Sequence, residues 1–158
     1  MEPFRPTRAE VDLTAIDKNI KSLRAFLGEK TKFMAIVKAN AYGHGAKETA
    51  KTAERAGVDY LGVAYLGEAL EIRDAGVKTP ILILSETPLE FARHVIDADI
   101  TQTVYTLELA NALAEAAAKN NKKARVHVKV DTGMGRVGVF PEQALSLIKQ
   151  MICLPSIE

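Results

Sequence analysis

The chain has one cysteine, Cys153, in 158 residues, so no disulfide can form within it and the fold must be held by its core. Long apolar runs are also missing. A stretch such as Ile81-Leu82-Ile83-Leu84 falls far short of the roughly 20 apolar residues that a membrane-spanning helix needs. No charge of one sign dominates: 21 Lys and Arg against 20 Asp and Glu leave a net charge of +1. That balance does not point to nucleic acid or to an anionic membrane surface. The opening Met1 to Glu10 is polar, carries Pro3 and Pro6, and contains no apolar h-region of a secretory signal. Together these absences lead to the expectation of a cytoplasmic protein. His44, His94 and His127 lie far apart with no zinc-type spacing, and no metal site is expected. A P-loop, a nucleophile elbow and a kinase signature are all absent. No low-complexity linker divides the chain, so residues 1–158 are read as one unit.

What is present is a regular rhythm. Apolar residues make up 47% and charged residues 26%, as in ordinary globular domains. Glu10 to Leu13 reads as a short strand. Ile16, Ile20, Leu23 and Leu27 then share one face of a helix from about Thr14, its N-cap, to a stop at Gly28. Strands are predicted at Phe33–Val37, Tyr60–Ala64, Ile81–Leu84, Thr101–Val104 and Ala124–Val130, with another beginning over Leu154–Glu158. Helices are predicted from about Ala46 to Arg55, Gly67 to Asp74, Pro88 to Ile96, Thr106 to Lys119 and Pro141 to Met151. Strand starts recur at intervals of about 20 to 30 residues, the size of a βα unit, which implies a parallel sheet. A doubly wound sheet and a TIM barrel both fit this rhythm. A barrel takes about 250 residues, so this chain would hold five units of one and the start of a sixth.

Two segments carry chemistry. In Val37-Lys38-Ala39-Asn40-Ala41-Tyr42-Gly43-His44-Gly45 a lysine directly follows an apolar run that is expected to be a buried strand. Desolvation lowers a lysine pKa in general, and a neutral amine can form a Schiff base. Gly43 and Gly45 permit close backbone approach to a phosphate, and Tyr42 adds a hydroxyl. On the residues alone, Lys38 also reads as a strand-end lysine reaching to solvent beside a glycine turn. In Arg125 to Arg136, Val126, Val128 and Val130 alternate with His127, Lys129 and Asp131. In a barrel those three ionisable groups would line the interior near its mouth; in an edge strand they would face water. Arg136, after a glycine loop, suits a carboxylate or a phenolate oxygen. Gly133, Gly135 and Gly138 match the dinucleotide spacing G-x-G-x-x-G. They follow a strand bearing Lys129 and Asp131, however, and precede no immediate helix, which argues against a dinucleotide site. His94 reads as a surface or packing residue and Cys153 as a small packing residue.

The run from Ala35 to Gly45 resembles the cofactor signature of the bacterial alanine racemases. Ala9 to Leu13 and Lys129 to Gly138 are similar to further stretches of that family. The resemblance implies an α/β fold, a partial TIM-type (β/α)8 barrel of pyridoxal-phosphate (PLP) fold type III, with about five βα units present and the C-terminal β domain absent. It implies that Lys38 carries PLP covalently and acts as a catalytic acid–base, and that Tyr42 hydrogen-bonds the phosphate. Arg136 would lie by the phenolic oxygen of PLP and the substrate carboxylate. Lys129 matches a lysine that some members carry as a carbamate. The implied activity is interconversion of L- and D-alanine for peptidoglycan, in a homodimer whose partner subunit supplies a tyrosine as second base. From the same resemblance, the 158 residues are expected to be a fragment with little or no racemase activity alone. Two further readings are a non-catalytic PLP-binding or PLP-homeostasis barrel protein, and a degenerate module that associates with intact racemase.

Overall fold

Asp12, rather than Thr14, starts the first helix. Its Oδ1 accepts the N–H groups of Thr14 at 2.8 Å and Ala15 at 3.2 Å, which satisfies two orphan donors of the first turn. Helix α1 (Leu13–Leu27) therefore takes Leu13, and the strand expected over Glu10–Leu13 does not form. Gly28, at φ +74°, ends the helix as expected. The computed structural model describes residues 7–28 and 30–158. The rest of the polar opening segment, with Pro3 and Pro6, and Glu29 lie outside the described residues.

Five strands follow: β1 (Met34–Ile36), β2 (Tyr60–Val63), β3 (Ile81–Ile83), β4 (Thr101–Val104) and β5 (Val126–Val128). They form one parallel sheet in the order β1-β2-β3-β4-β5. That order decides between the two architectures. A doubly wound sheet reverses its strand order at a switch point, whereas barrel strands follow one another around the ring. The fold is a partial (β/α)8 barrel. Beyond β5 the chain adds the start of another parallel strand. Val126 N–H donates to Glu158 O at 2.9 Å, and Glu158 N–H donates to Ala124 O at 2.8 Å.

The connecting helices are α3 (Ala46–Arg55), α4 (Leu66–Asp74), α5 (Ala92–Asp97, entered through a 3-10 turn at Leu89–Phe91), α6 (Leu107–Lys119) and α7 (Pro141–Met151). The fifteen-residue limit of α1 and the shorter spans of the others leave no described helix long and apolar enough to cross a membrane. One face of the sheet sets Val37, Leu61, Val63, Ile81, Ile83 and Val104 against Ala50, Ala53, Ile72, Leu109 and Leu113, all buried. Each fully buried leucine or isoleucine contributes about 1.5–3 kcal/mol. The other face is the barrel interior. Its register pairs Ile36 with Gly62, Gly62 with Leu82, and Thr103 with His127. A Cβ at Gly62 would sit 2.5 Å from Ile36 Cδ1, so the end of the Ile36 side chain would have to move to admit one.

The end of the sheet away from the site is closed by two charged side chains. Arg73, half-buried in the last turn of α4, donates through Nε to Ala98 O at 3.1 Å. Through Nη1 it donates to Val77 O at 3.0 Å and Thr79 O at 2.9 Å, and through Nη2 to Asp99 O at 3.3 Å. Glu54 of α3 accepts from Lys78 N at 2.6 Å, Thr79 N at 2.8 Å and Thr79 Oγ1 at 3.0 Å. Burial pushes the Glu54 pKa up, but these hydrogen bonds outweigh it and hold the carboxyl below its ordinary range. Removing the guanidinium leaves several carbonyls without donors. Arg73→Ala is expected to lower the unfolding free energy by about 2–4 kcal/mol in a urea titration, and Arg73→Lys to recover only part of it.

Candidate functional site

Lys38 stands at the C-terminal end of β1, the edge on which barrel proteins build their sites. Val37 before it is 1% exposed and donates its N–H to Gly62 O at 2.8 Å. Lys38 itself is half-buried. After it the chain does not enter an ordinary loop. The short element α2 (Lys38–Tyr42) is a left-handed turn: Ala39, Asn40, Ala41 and Tyr42 have φ of 51°, 54°, 52° and 53°. Left-handed helical backbone costs an L-residue roughly 1–2 kcal/mol, so four in succession require compensation.

Hydrogen bonds supply that compensation. Asn40 O accepts from Gly43 N at 3.1 Å and Gly45 N at 3.0 Å, and Asn40 Oδ1 accepts from Ala46 N at 2.7 Å. The His44 ring Nδ1 meets Ala41 O at 2.9 Å. Gly43 and Gly45, at φ +89° and +87°, return the chain to α3. From outside the turn, Glu68 of α4 accepts the Ala39 N–H on Oε1 at 2.6 Å, while its Oε2 accepts Ala64 N–H at 2.7 Å and Tyr65 N–H at 3.3 Å.

Lys38, Lys129 and Arg136 line a single open cavity of about 630 Å³, together with Tyr65, Ser85, Thr103, His127 and the apolar Leu82 and Leu84. The structure thus brings together three of the four residues expected at the site. Tyr42 is not among the lining residues. It is 61% exposed, with its ring centroid 6.0 Å from Lys38 Nζ, at the outer limit of a cation–π contact. His127 lies 6.2 Å from the Tyr60 ring, centroid to centroid, on the interior face.

Asp131 does not join His127 and Lys129 in lining the interior. Strand β5 ends at Val128, so the alternation that would place it there has lapsed. Its carboxylate instead grips the glycine loop. Oδ1 accepts Gly133 N–H at 2.9 Å and Gly135 N–H at 3.1 Å, and Oδ2 accepts Arg136 N–H at 3.0 Å. The Gly133 and Gly135 bonds, helped by those of Arg136 and Met134, hold its pKa below the ordinary value of 3.8 against the opposing effect of burial. A carboxyl held low in the fold adds stability that is fully present above its unfolded pKa and lost as pH falls through the folded one. Urea midpoints should therefore decline below about pH 4. Part of that slope should vanish in Asp131→Asn.

Gln102, invisible as a site residue in the sequence, is fully buried in β4. It accepts Thr87 Oγ1–H at 2.7 Å and donates to Ser85 O at 2.7 Å, fixing the segment that brings Ser85 to the cavity. A glutamine within the short run Thr101–Val104 was the available signal. Gly133, Gly135 and Gly138 form no helix-opening phosphate loop, since α7 starts only at Pro141. Cys153 is exposed rather than packed, because it falls after the last turn of α7. His94 is exposed with its ring edge against Phe91.

Among the described residues no aspartate or glutamate lines the cavity, while a primary amine, a second lysine and a guanidinium do. Such a donor set suits a compact anion bearing a carbonyl: the cations attract phosphate, phenolate and carboxylate groups, and the amine can add to an aldehyde. PLP has these groups, and the residues present fit it.

Residues 11–158 match the family model described as "Alanine racemase, N-terminal domain". An alanine racemase of Clostridium perfringens is 48% identical over 155 residues, 98% of this chain and 40% of that protein. One of Methanococcus maripaludis is 46% identical over 97% of this chain and 41% of its own length. Among solved structures, alanine racemase of Clostridium difficile 630 in complex with cycloserine superimposes with a TM-score of 0.89 at 42% identity, over 99% of this chain and 43% of that one. Alanine racemase from E. faecalis gives 0.90 at 42% identity, over 98% and 42%. The chain spans about two fifths of the length of the curated relatives it matches.

Proposed function

The chain belongs to the alanine racemase family through its N-terminal domain, and from that premise we propose that it is the N-terminal part of a PLP barrel whose whole protein interconverts L- and D-alanine. Residues 1–158 form one portion of that barrel domain. The reading rests on one observation: Lys38, at the end of β1, shares with Lys129 and Arg136, which follow β5, a cavity that no carboxylate lines among the described residues.

In this reading Lys38 holds PLP through its side-chain amine, and Tyr42, beside it, binds the phosphate. Arg136 binds the phenolic oxygen and the carboxylate of the amino acid, using the planar donor fork that suits both. Bound PLP supplies an electron-withdrawing ring that acidifies the substrate Cα–H. The Lys38 amine then moves a proton to or from Cα on one face. Inversion requires a second acid–base group on the opposite face, assigned by family resemblance to a tyrosine of a partner subunit in a homodimer. Lys129 has a separate part. A lysine amine that adds CO2 and sheds a proton becomes an anionic carbamate, which would give Arg136 an opposite charge in place of a like one. The product D-alanine serves cell-wall synthesis, and the protein works in the cytoplasm.

The direct test is to incubate the chain with PLP, reduce with borohydride and map the digest. The expected result is a pyridoxyl group on Lys38 in clear preference to surface lysines such as Lys47 and Lys51. A preference for another lysine, or no label on Lys38, overturns the proposal. Measuring solvent exchange of the alanine Cα–H on the same sample separates catalysis from simple carriage of the cofactor.

A further inference from the structure

Glu68 is not among the residues lining the cavity, yet its carboxylate touches both sides of the cavity's rim. A glutamate three residues into a helix often reaches back to the N-cap N–H. That device accounts for Oε2, which accepts Tyr65 N–H at the start of α4 and the neighbouring Ala64 N–H. It does not account for Oε1, which crosses to Ala39, on a different strand end and 29 residues away. Ala39 is the first left-handed residue of the turn and the immediate neighbour of Lys38.

The backbone of Lys38 is thus pinned from both directions by one unit of the fold. On its N-terminal side Val37 N–H donates to Gly62 O in β2; on its C-terminal side Ala39 N–H donates to Glu68 in α4. These two hydrogen bonds restrain the Lys38 backbone between them. A left-handed turn of L-residues tends to relax toward the right-handed or extended regions, and such relaxation would begin by rotating the Lys38–Ala39 peptide. We propose that Glu68 is a positioning residue for Lys38, its carboxylate clamping the left-handed turn to the start of α4 so that the amine is presented to the cavity. This rests on the reading of Lys38 as the PLP lysine.

The role predicts a specific pattern in Glu68→Gln, Glu68→Asp and Glu68→Ala. Glutamine keeps the volume but replaces one acceptor oxygen with a donor; its remaining oxygen serves the two N–H groups of Ala64 and Tyr65 at its own helix start, and its amide N–H2 then faces the Ala39 N–H. Aspartate keeps the charge but is too short to span the two. Each variant of the 158-residue chain is compared with the parent by site-resolved amide exchange and by the rate of PLP–borohydride labelling. Lys47 and Lys51 serve as internal references for labelling. The expected result is Ala39 exchange at least about tenfold faster and Lys38 labelling about tenfold slower relative to Lys47 and Lys51, with urea midpoints of the Gln variant close to the parent. If Glu68→Ala does not fold, the isosteric Gln variant carries the test. A role confined to helix capping would speed exchange at Ala64 and Tyr65 and leave the Lys38 to Lys47 labelling ratio unchanged; that outcome overturns the proposal. So does parent-like exchange at Ala39. If the parent itself shows no label on Lys38, the proposed function fails first and the positioning role with it.

Discussion

Lys38→Arg is expected to abolish covalent capture of PLP at position 38 while leaving the fold in place. The guanidinium keeps the positive charge at the end of β1 but stays protonated at any workable pH, so no neutral amine remains to add to the aldehyde. The side chain is half-buried and makes no hydrogen bond among those described, so the change in unfolding free energy should stay within about 1 kcal/mol. The variant should therefore still concentrate PLP near the cavity through Lys129, Arg136 and the new arginine, yet gain no borohydride-stable mass at position 38. Peptide mapping after reduction, with Lys47 and Lys51 as references, reads this directly. A variant that gains the same adduct as the parent would move the attachment point to another amine. Lys129 would be the first to examine, since it lines the same cavity.

The sequence made the frame of this site legible, because the frame depends on local signals. The limits of α3 at Ala46 and Arg55 and of β4 at Thr101 and Val104 fall where pattern and turn residues put them. The same holds for the cap of α6 by Thr106, whose Oγ1 accepts Leu109 N–H. The strand order was not legible: alternation of β and α is common to barrels and doubly wound sheets, and only the pairing registers separate them. Thr14 was the expected cap, but Asp12, two residues earlier, takes that place because its carboxylate accepts two N–H groups of the first turn. The left-handed turn was hidden because Ala39, Ala41 and Tyr42 carry no preference for positive φ. Asn40 alone tolerates it, and the hydrogen bonds that impose it come from Glu68 and Ala46. Asp131 was misplaced for a related reason. Side-chain alternation holds only while the strand lasts, and β5 ends at Val128, so a pattern reading carried the parity too far.

Gly138→Ala is expected to damage the site more than any other single-methyl change in the glycine loop. At φ +130° Gly138 occupies backbone that L-residues rarely adopt, and an added Cβ would lie 2.7 Å from Asp131 N and 3.0 Å from Val130 C. Both are main-chain atoms, so no side chain can swing away to make room. The neighbouring ladder runs through the same few ångströms: Asp131 N–H donates to Val139 O, and Val139 N–H to Lys129 O, each at 2.9 Å. Relieving the clash must pull these bonds apart, and with them the carboxylate that holds Arg136 N–H and the backbone that carries Lys129. Strain and overpacking together should lower the unfolding free energy by about 2–4 kcal/mol. Gly135→Ala is the control. It lies in the same loop at φ +67°, where left-handed backbone costs an L-residue about 1–2 kcal/mol, and its Cβ would meet nothing within 4 Å. Urea titration of the two variants, with PLP labelling of Lys38 read alongside, separates conformational strain from displacement of the cationic wall. Gly138→Ala should lose both stability and labelling rate, whereas Gly135→Ala should lose a smaller amount of stability and label at nearly the parent rate. Equal effects from the two substitutions would mean that the contact between residue 138 and the Val130–Asp131 backbone does not organise the loop that presents Arg136.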